Sequence, residues 1–372
     1  MSSSRSAYVW DSAFLKHDTG ESSLQLPDGT VMDPVEHYSN NRVTNRTAQL
    51  IRGSGLQRQL ISISTRPASL EEIQYAHTIG YIDKVRQMTA AGGGMLDDQT
   101  RVSPGSWDAA LLAAGGALEL TDAVLDGRAR NGYGLLRPIG HHAMPAQGMG
   151  FCVFNNVVIA TRHVQRHRGI GRVAIVDWDV HHGNGAQTAF WDDSSVLFIS
   201  LHQDDWYPGG WGKLTDVGGE EALGTTVNIP LPAGTGNRGY DLAFERVVEP
   251  ILRQFEPELL FISAGQDASL ADPLGRMFVT TKGFRMMAER LRLVADDVCQ
   301  GRVIGFQEGG YSASYTPYCT LAVVEGITGI ATGVGEPWTG SSEHARAERA
   351  FGDEQVTAID AALEIQSSYW QI

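Results

Sequence analysis

The sequence predicts an α/β protein whose parallel sheet is covered by helices on both faces, and three observations predict it. Four short apolar runs have the length and β-branched content of buried strands. Helical patterns alternate with them, as they do where crossover helices join parallel strands. Each run also ends, on its C-terminal side, in a cluster of polar side chains, and open α/β sheets bind ligands at that edge.

In chain order, residues 1–94 read as irregular loops and short helices, ending in the Gly92-Gly93-Gly94 turn. A helical pattern covers 107–124, and a weak strand signal follows over 133–136. A second helix is expected over 156–167. The strong strand runs are 172–176, 196–200, 259–263 and 302–306, with helices over 240–254 and 281–298 between them. After Gly329 the chain is loop-like through 332–342, then helical over about 343–365. No repeat or low-complexity linker divides it. One domain over 1–372 is therefore expected, with 343–372 as a C-terminal helical extension.

Composition narrows the function. The chain has 372 residues, 42% hydrophobic and 19% charged, ample for a sizeable core, with no apolar run long enough to span a bilayer. Met1-Ser2-Ser3-Ser4-Arg5 leads into Tyr8-Val9-Trp10 without the apolar core of a secretion signal, so a cytoplasmic location is expected and a membrane partner is not. Cys152, Cys299 and Cys319 are too few and too scattered for a disulfide framework or a cysteine zinc module, so any metal site must use His and carboxylate ligands. A net charge of −14 argues against nucleic-acid binding. It suits cationic substrates such as lysine-rich peptides or polyamines, and plain solubility explains it equally well.

The polar clusters carry the chemistry. Asp179 and His181 lie two apart just past a strand, so they point the same way if the extended pattern continues. With Asp267 from another strand end they make a three-ligand zinc site with an open position. Alone, such a pair is more often a salt bridge or a helix cap, but Asp177 and His182 crowd the same stretch. Gly140-His141-His142 follows an apolar segment, and a neutral imidazole beside a metal can move a proton between water and a leaving amine. Glu308-Gly309-Gly310-Tyr311 reads in isolation as a turn; within this set its phenol can donate to an oxyanion.

Gly140-His141-His142-Ala143, the run from Asp177-Trp178-Asp179-Val180-His181-His182 to Gly183-Asn184-Gly185, Ala264-Gly265-Gln266-Asp267-Ala268 and Glu308-Gly309-Gly310-Tyr311 together resemble the histone deacetylase family. Asn184 and Glu308 point to its class II branch and the bacterial histone deacetylase-like amidohydrolases. The resemblance runs over about 8–329. It implies the arginase/deacetylase fold, a central parallel sheet of about eight strands flanked by helices. It implies zinc-dependent hydrolysis of N-acyl lysine or a similar acylated amine, the substrate being a peptide or small molecule, with acetylpolyamine deacetylation as the alternative.

Carried over by resemblance, Asp179, His181 and Asp267 hold zinc. His142 is the general base and acid with Asn184 as its partner, and His141 pairs with Asp177. Tyr311 polarises the carbonyl, and Gly150, Phe151, Leu274 and Gly310 contact substrate. Backbone carbonyls around Asp177, Asp179, His181, Ser200 and Leu201 are expected to bind a structural potassium ion. Leucine stands at 274 where polyamine-selective relatives carry glutamate, which favours an uncharged stem.

Some positions depart from the family pattern or stay open. Gln266 replaces a frequent Phe, and His37-Tyr38-Ser39 replaces a His-Pro-Glu element, with Arg42 downstream in its expected place. Trp206-Tyr207 and Trp211 read equally as a channel wall or as a surface for a partner subunit. With Tyr369-Trp370 they admit a homo-oligomer. The Asp97-Asp98 pair lies where relatives hold the substrate backbone, and reads first as an exposed acidic turn. A two-metal ureohydrolase on the same fold is disfavoured by Gly265, and a non-catalytic acyl-lysine binding module by the complete residue set.

Overall fold

The computed structural model describes residues 5–23 and 26–372. Its centre is an eight-stranded sheet. The strands are β1 (Ala7–Val9), β2 (Ile61–Ser62), β3 (Gly132–Gly134), β4 (Val173–Asp177), β5 (Val196–Gln203), β6 (Thr226–Leu231), β7 (Leu259–Ala264) and β8 (Val303–Gln307). They lie in the order β6-β5-β4-β7-β8-β3-β1-β2, and every pairing is parallel. The four strong runs and the weak fifth all form strands.

Alternate side chains of each central strand enter opposite cores. Ala174, Val176, Leu260 and Ile262 join the cluster built with helices Thr281–Val298 and Thr316–Thr328. Val173, Ile175, Leu259 and Phe261 join the cluster under helices Ser106–Leu125 and Asn156–His167. Two buried faces are why these strands read as continuous apolar runs.

Three strands of this sheet were not expected. β1 and β2 are too short to carry an apolar pattern. β6 is an edge strand interrupted by Asn228 and Pro230, and an edge tolerates proline because one side of the ladder is open. The N-terminal third also holds a full helix, Asn41–Gly53, capped by the Asn40 side chain accepting from the Arg42 and Val43 amides. The helix expected over 240–254 is interrupted. Asn237–Ala243 passes through a π-turn at Phe244–Val248 into Glu249–Phe255. Pro250, which has no N–H and crowds the preceding turn, follows that widening directly. The C-terminal helical region divides into Ser342–Ala347 and Asp353–Gln366. The second helix packs at the β6 edge, where the Gln366 amide donates to the Thr226 carbonyl and Trp370 Nε1 to that of Gly224. No helix among the described residues is long and apolar enough to cross a membrane.

The topology decides where the chemistry lies. β4, β7 and β8 are neighbours at the centre, so the segments after Asp177, Ala264 and Gln307 emerge side by side at one edge. Phe261→Ala should cost about 3–5 kcal/mol of stability, read as a lower denaturation midpoint. Leu293→Ala, on the exposed face of helix Thr281–Val298, should stay within about 0.5 kcal/mol.

Candidate active site

Asp179, His181 and Asp267 each offer a ligand atom, all within 4.8 Å of one another, and all three are buried. His181 Nδ1 stands 3.0 Å from both Asp179 Oδ1 and Asp267 Oδ2. The surrounding backbone holds the carboxylates. Asp179 accepts from the amides of His181 at 3.0 Å and Gly309 at 2.8 Å, and Asp267 from that of Val180 at 2.8 Å. A Cβ at Gly309 would overlap Asp267 Oδ2 and lie 2.6 Å from Asp179 Oδ2, so only glycine lets the loop after β8 close over the donors.

The donors are electrostatically unequal. Burial, and then the charge of Asp179, pushes the Asp267 carboxyl well up. Burial also opposes ionisation of Asp179, but His141 and His181 outweigh it and hold that carboxyl low. Two adjacent buried carboxylates resist being ionised together unless a cation joins them.

Two histidines stand beside this centre, rings 3.9 Å apart and both buried. His141 Nδ1 is 3.0 Å from Asp177 Oδ2, and His142 Nδ1 is 2.8 Å from Asn184 Oδ1. Burial opposes charge on His141, yet Asp179 and Asp177 raise its pKa to about 10. His142 faces an uncharged amide instead. Burial, then the positive neighbours His141 and His181, lower its pKa well below the ordinary histidine value. Tyr311 completes the set, its phenol pushed well up by burial and then by Asp267 and Asp179, so it keeps its proton and can donate.

A cavity of about 570 Å³ opens onto these groups. His142, His181 and Tyr311 line it, with Gly150, Phe151 and Leu274. Phe151 adopts a left-handed backbone (φ 67°), its amide donating to Thr100 Oγ1 at 2.9 Å and its ring set edge-on to Tyr311 at 5.5 Å. Trp206 and Tyr207 are channel wall: the Tyr207 ring meets those of His142 at 5.1 Å and His181 at 5.9 Å. His37 and Tyr38 also reach the cavity. Arg42 is exposed and pairs with Glu36 at 3.4 Å.

Other positions fall elsewhere. Gly310 is absent from the cavity lining. It faces a small cleft behind Tyr311, where its φ of 129° turns the chain against Thr316 and Gln266. His202 lies inside β5 and bonds Ser200 Oγ and the Gly212 carbonyl, lining a separate cleft with His182. Asp97 caps its own turn by accepting from the Gln99 and Thr100 amides, whereas exposed Asp98 lines the cavity mouth. Trp370 is tied into its own chain through Gly224 and Phe255.

In a second cluster, His141, Cys152 and Glu308, each side chain makes an internal bond, while the buried Glu308 Oε1 has no hydrogen-bond partner. Glu308 Oε2 accepts from the Gly140 and His141 amides, and the Cys152 thiol lies 3.5 Å from the Gly150 carbonyl. Sequence reasoning gave no role to Asp272, whose carboxylate accepts from the Tyr311 amide at 2.7 Å and the Leu274 amide at 2.8 Å. No sequence pattern marks it, because both partners are backbone groups.

Comparison with known proteins gives the family. The profile of the histone deacetylase domain matches residues 37–327, and the chain belongs to that family. A histone deacetylase-like amidohydrolase of Pseudomonas aeruginosa is 39% identical over 94% of this chain and 93% of its own. The polyamine deacetylase HDAC10 of Homo sapiens is 40% identical over 70% of this chain, though only 40% of that protein is covered. Among solved structures, the HDA15 HD domain superposes with a TM-score of 0.86 at 31% identity, covering 99% of this chain and 97% of that one. The fold is the arginase/deacetylase fold, and the chain is an amide-hydrolysing enzyme that deacetylates acetylated amines with zinc.

Zinc fits the donors present: one imidazole and two carboxylates, buried and mutually repelling, under a loop that leaves no room for a side chain. Gly309→Ala should therefore lose most bound zinc, measured by metal analysis of the purified variant, while circular dichroism stays native. Full zinc occupancy in that variant would refute the close-approach argument.

Proposed function

We propose that this enzyme removes acetyl or related acyl groups from lysine side chains, with Asp179, His181 and Asp267 as the zinc ligands. The observation that carries this reading is the convergence of a neutral-held His142 and a protonated Tyr311 on the donor set at the base of one narrow, aromatic-walled cavity. Zinc held there supplies Lewis acidity toward the acyl oxygen and toward water.

The chain's own residues do the rest. Asn184 Oδ1 accepts the Nδ1 proton of His142, which leaves Nε2 free to take a proton from attacking water and return it to the departing amine. His141, held by Asp177, keeps positive charge beside His142 and so keeps that ring neutral before the reaction. Tyr311 donates its O–H to the developing oxyanion. Phe151 and Tyr207 exclude water and grip the alkyl stem, and Leu274 offers no charge for a second ammonium.

A structural potassium ion is proposed at the carbonyls around Asp177, Asp179, His181, Ser200 and Leu201, where β4 and β5 pair Asp177 with Ser200. The chain is proposed to work as one deacetylase domain over 1–372, in the cytoplasm, where its three free buried cysteines would stay reduced. Exposed Trp206 and Trp211 keep a homo-oligomer among the proposals.

Tyr311→Phe should lower kcat by ~10²–10³ with zinc retained, and near-normal turnover would remove Tyr311 from the mechanism. Acetyl-lysine peptide should be turned over faster than acetylated polyamine, in a chelator-sensitive way. Leu274→Glu should shift that ratio toward the polyamine; a wild-type preference for polyamine would instead place the enzyme with its human relative.

A further inference from the structure

Tyr311 lies on no regular element. It follows β8 through Glu308-Gly309-Gly310, and two glycines leave a backbone that must be fixed from outside. Its amide donates to Asp272 Oδ2 at 2.7 Å, while Asp272 Oδ1 accepts from the Leu274 amide at 2.8 Å. One carboxylate therefore joins the phenol-bearing loop to the channel wall. Asp272 is buried, and no Lys or Arg among the described residues forms an ion pair with it. A buried carboxylate is costly, and these amide bonds offset part of that cost here.

The wall itself is anchored. Trp206 Nε1 donates to the Leu274 carbonyl at 2.9 Å, and the Arg276 amide donates to Gln203 Oε1 at 2.9 Å. Asp272 is the link from this fixed strap to Tyr311. We infer that Asp272 is a positioning residue that locks the Tyr311 backbone to the Leu274 wall, so that the seat of the substrate stem and the carbonyl donor form one rigid unit. The inference rests on the reading of Tyr311 as that donor.

Asp272→Asn separates the two bonds. Asparagine keeps the turn to the Leu274 amide through its oxygen, and its NH₂ then faces the Tyr311 amide donor to donor. Steady-state kinetics on an acetyl-lysine peptide should show kcat lowered about tenfold to a hundredfold, the effect expected when a buried hydrogen-bond partner is lost. KM should move less than about threefold, with zinc content unchanged. In a Tyr311→Phe background the same substitution should cost less than about twofold, because the group it positions is gone. An equal loss in both backgrounds, or a loss confined to KM, overturns the inference.

The two readings fail differently. An active Tyr311→Phe enzyme sinks the donor role itself, whereas an inactive one with an undiminished Asp272→Asn effect sinks only the positioning role. Should Asp272→Asn not fold, hydrogen exchange in the unaltered enzyme reads the same bond. The Tyr311 amide should be strongly protected, and exchange as fast as at exposed Ser314 overturns the proposal.

Discussion

The structure depends on keeping three carboxylates, Asp177, Asp179 and Asp267, fully buried at the ends of two adjacent strands. In a low-dielectric interior such charges repel strongly and lose their hydration. Each is held by directed bonds. Asp177 accepts from the Asp179 amide and meets His141, Asp179 accepts from two amides, and Asp267 accepts from the amide of Val180. The amides come from turns immediately after β4 and β8 and His141 from the segment after β3, so the sheet order that places β4, β7, β8 and β3 together is a condition of the site. A different strand order would take the Val180 amide from Asp267, the Gly309 amide from Asp179 and His141 from Asp177.

The same centre makes two histidines behave differently. His141 and His142 are neighbours in sequence, similarly buried, with rings nearly in contact. The first has a carboxylate on Nδ1, the second an amide. Asp179 and Asp177 together hold His141 charged, and burial with that neighbouring charge lowers the proton affinity of His142. Acid and base roles are commonly divided this way, by unlike surroundings of like groups. Glu308 takes part by a different route. It accepts the amides of Gly140 and His141, which orients the segment carrying both rings, and burial pushes its own carboxyl up to about 7.

What the sequence revealed follows burial. β4, β5, β7 and β8 were legible because both faces are covered and their residues are almost uniformly apolar. β6 was not, since an edge strand can carry Asn228 and Pro230. The site was legible where chemistry requires rare residue types in short motifs, as at His141-His142 and Asp179-Val180-His181. It was not legible where function rests on backbone bonds between distant segments. Asp272 has no local pattern to mark it, and Tyr207 looked as much like an interface residue as a wall. Gln266 shows the same limit. Its departure from the frequent Phe became intelligible only once Gln307 and Thr320 were seen bonding its side chain in a fully buried amide network beneath Gly309.

The fold alone does not choose the reaction, because the same architecture supports two-metal ureohydrolases as well as one-metal deacetylases. The choice is steric and lies at Gly265. A Cβ there would overlap Asp179 Oδ2 and lie 2.7 Å from the Asp179 Cα, so no side chain fits, and least of all the aspartate a second metal would require. In the only other convergent His, Cys and carboxylate group among the described residues, Glu308 Oε2 accepts from two backbone amides and His141 Nδ1 meets Asp177, with Glu308 Oε1 left unpartnered. The proposed site then combines one metal position, one neutral imidazole and one phenol. That set matches the hydrolysis of a linear amide, in which water is the nucleophile and a single carbonyl oxygen takes up the developing charge.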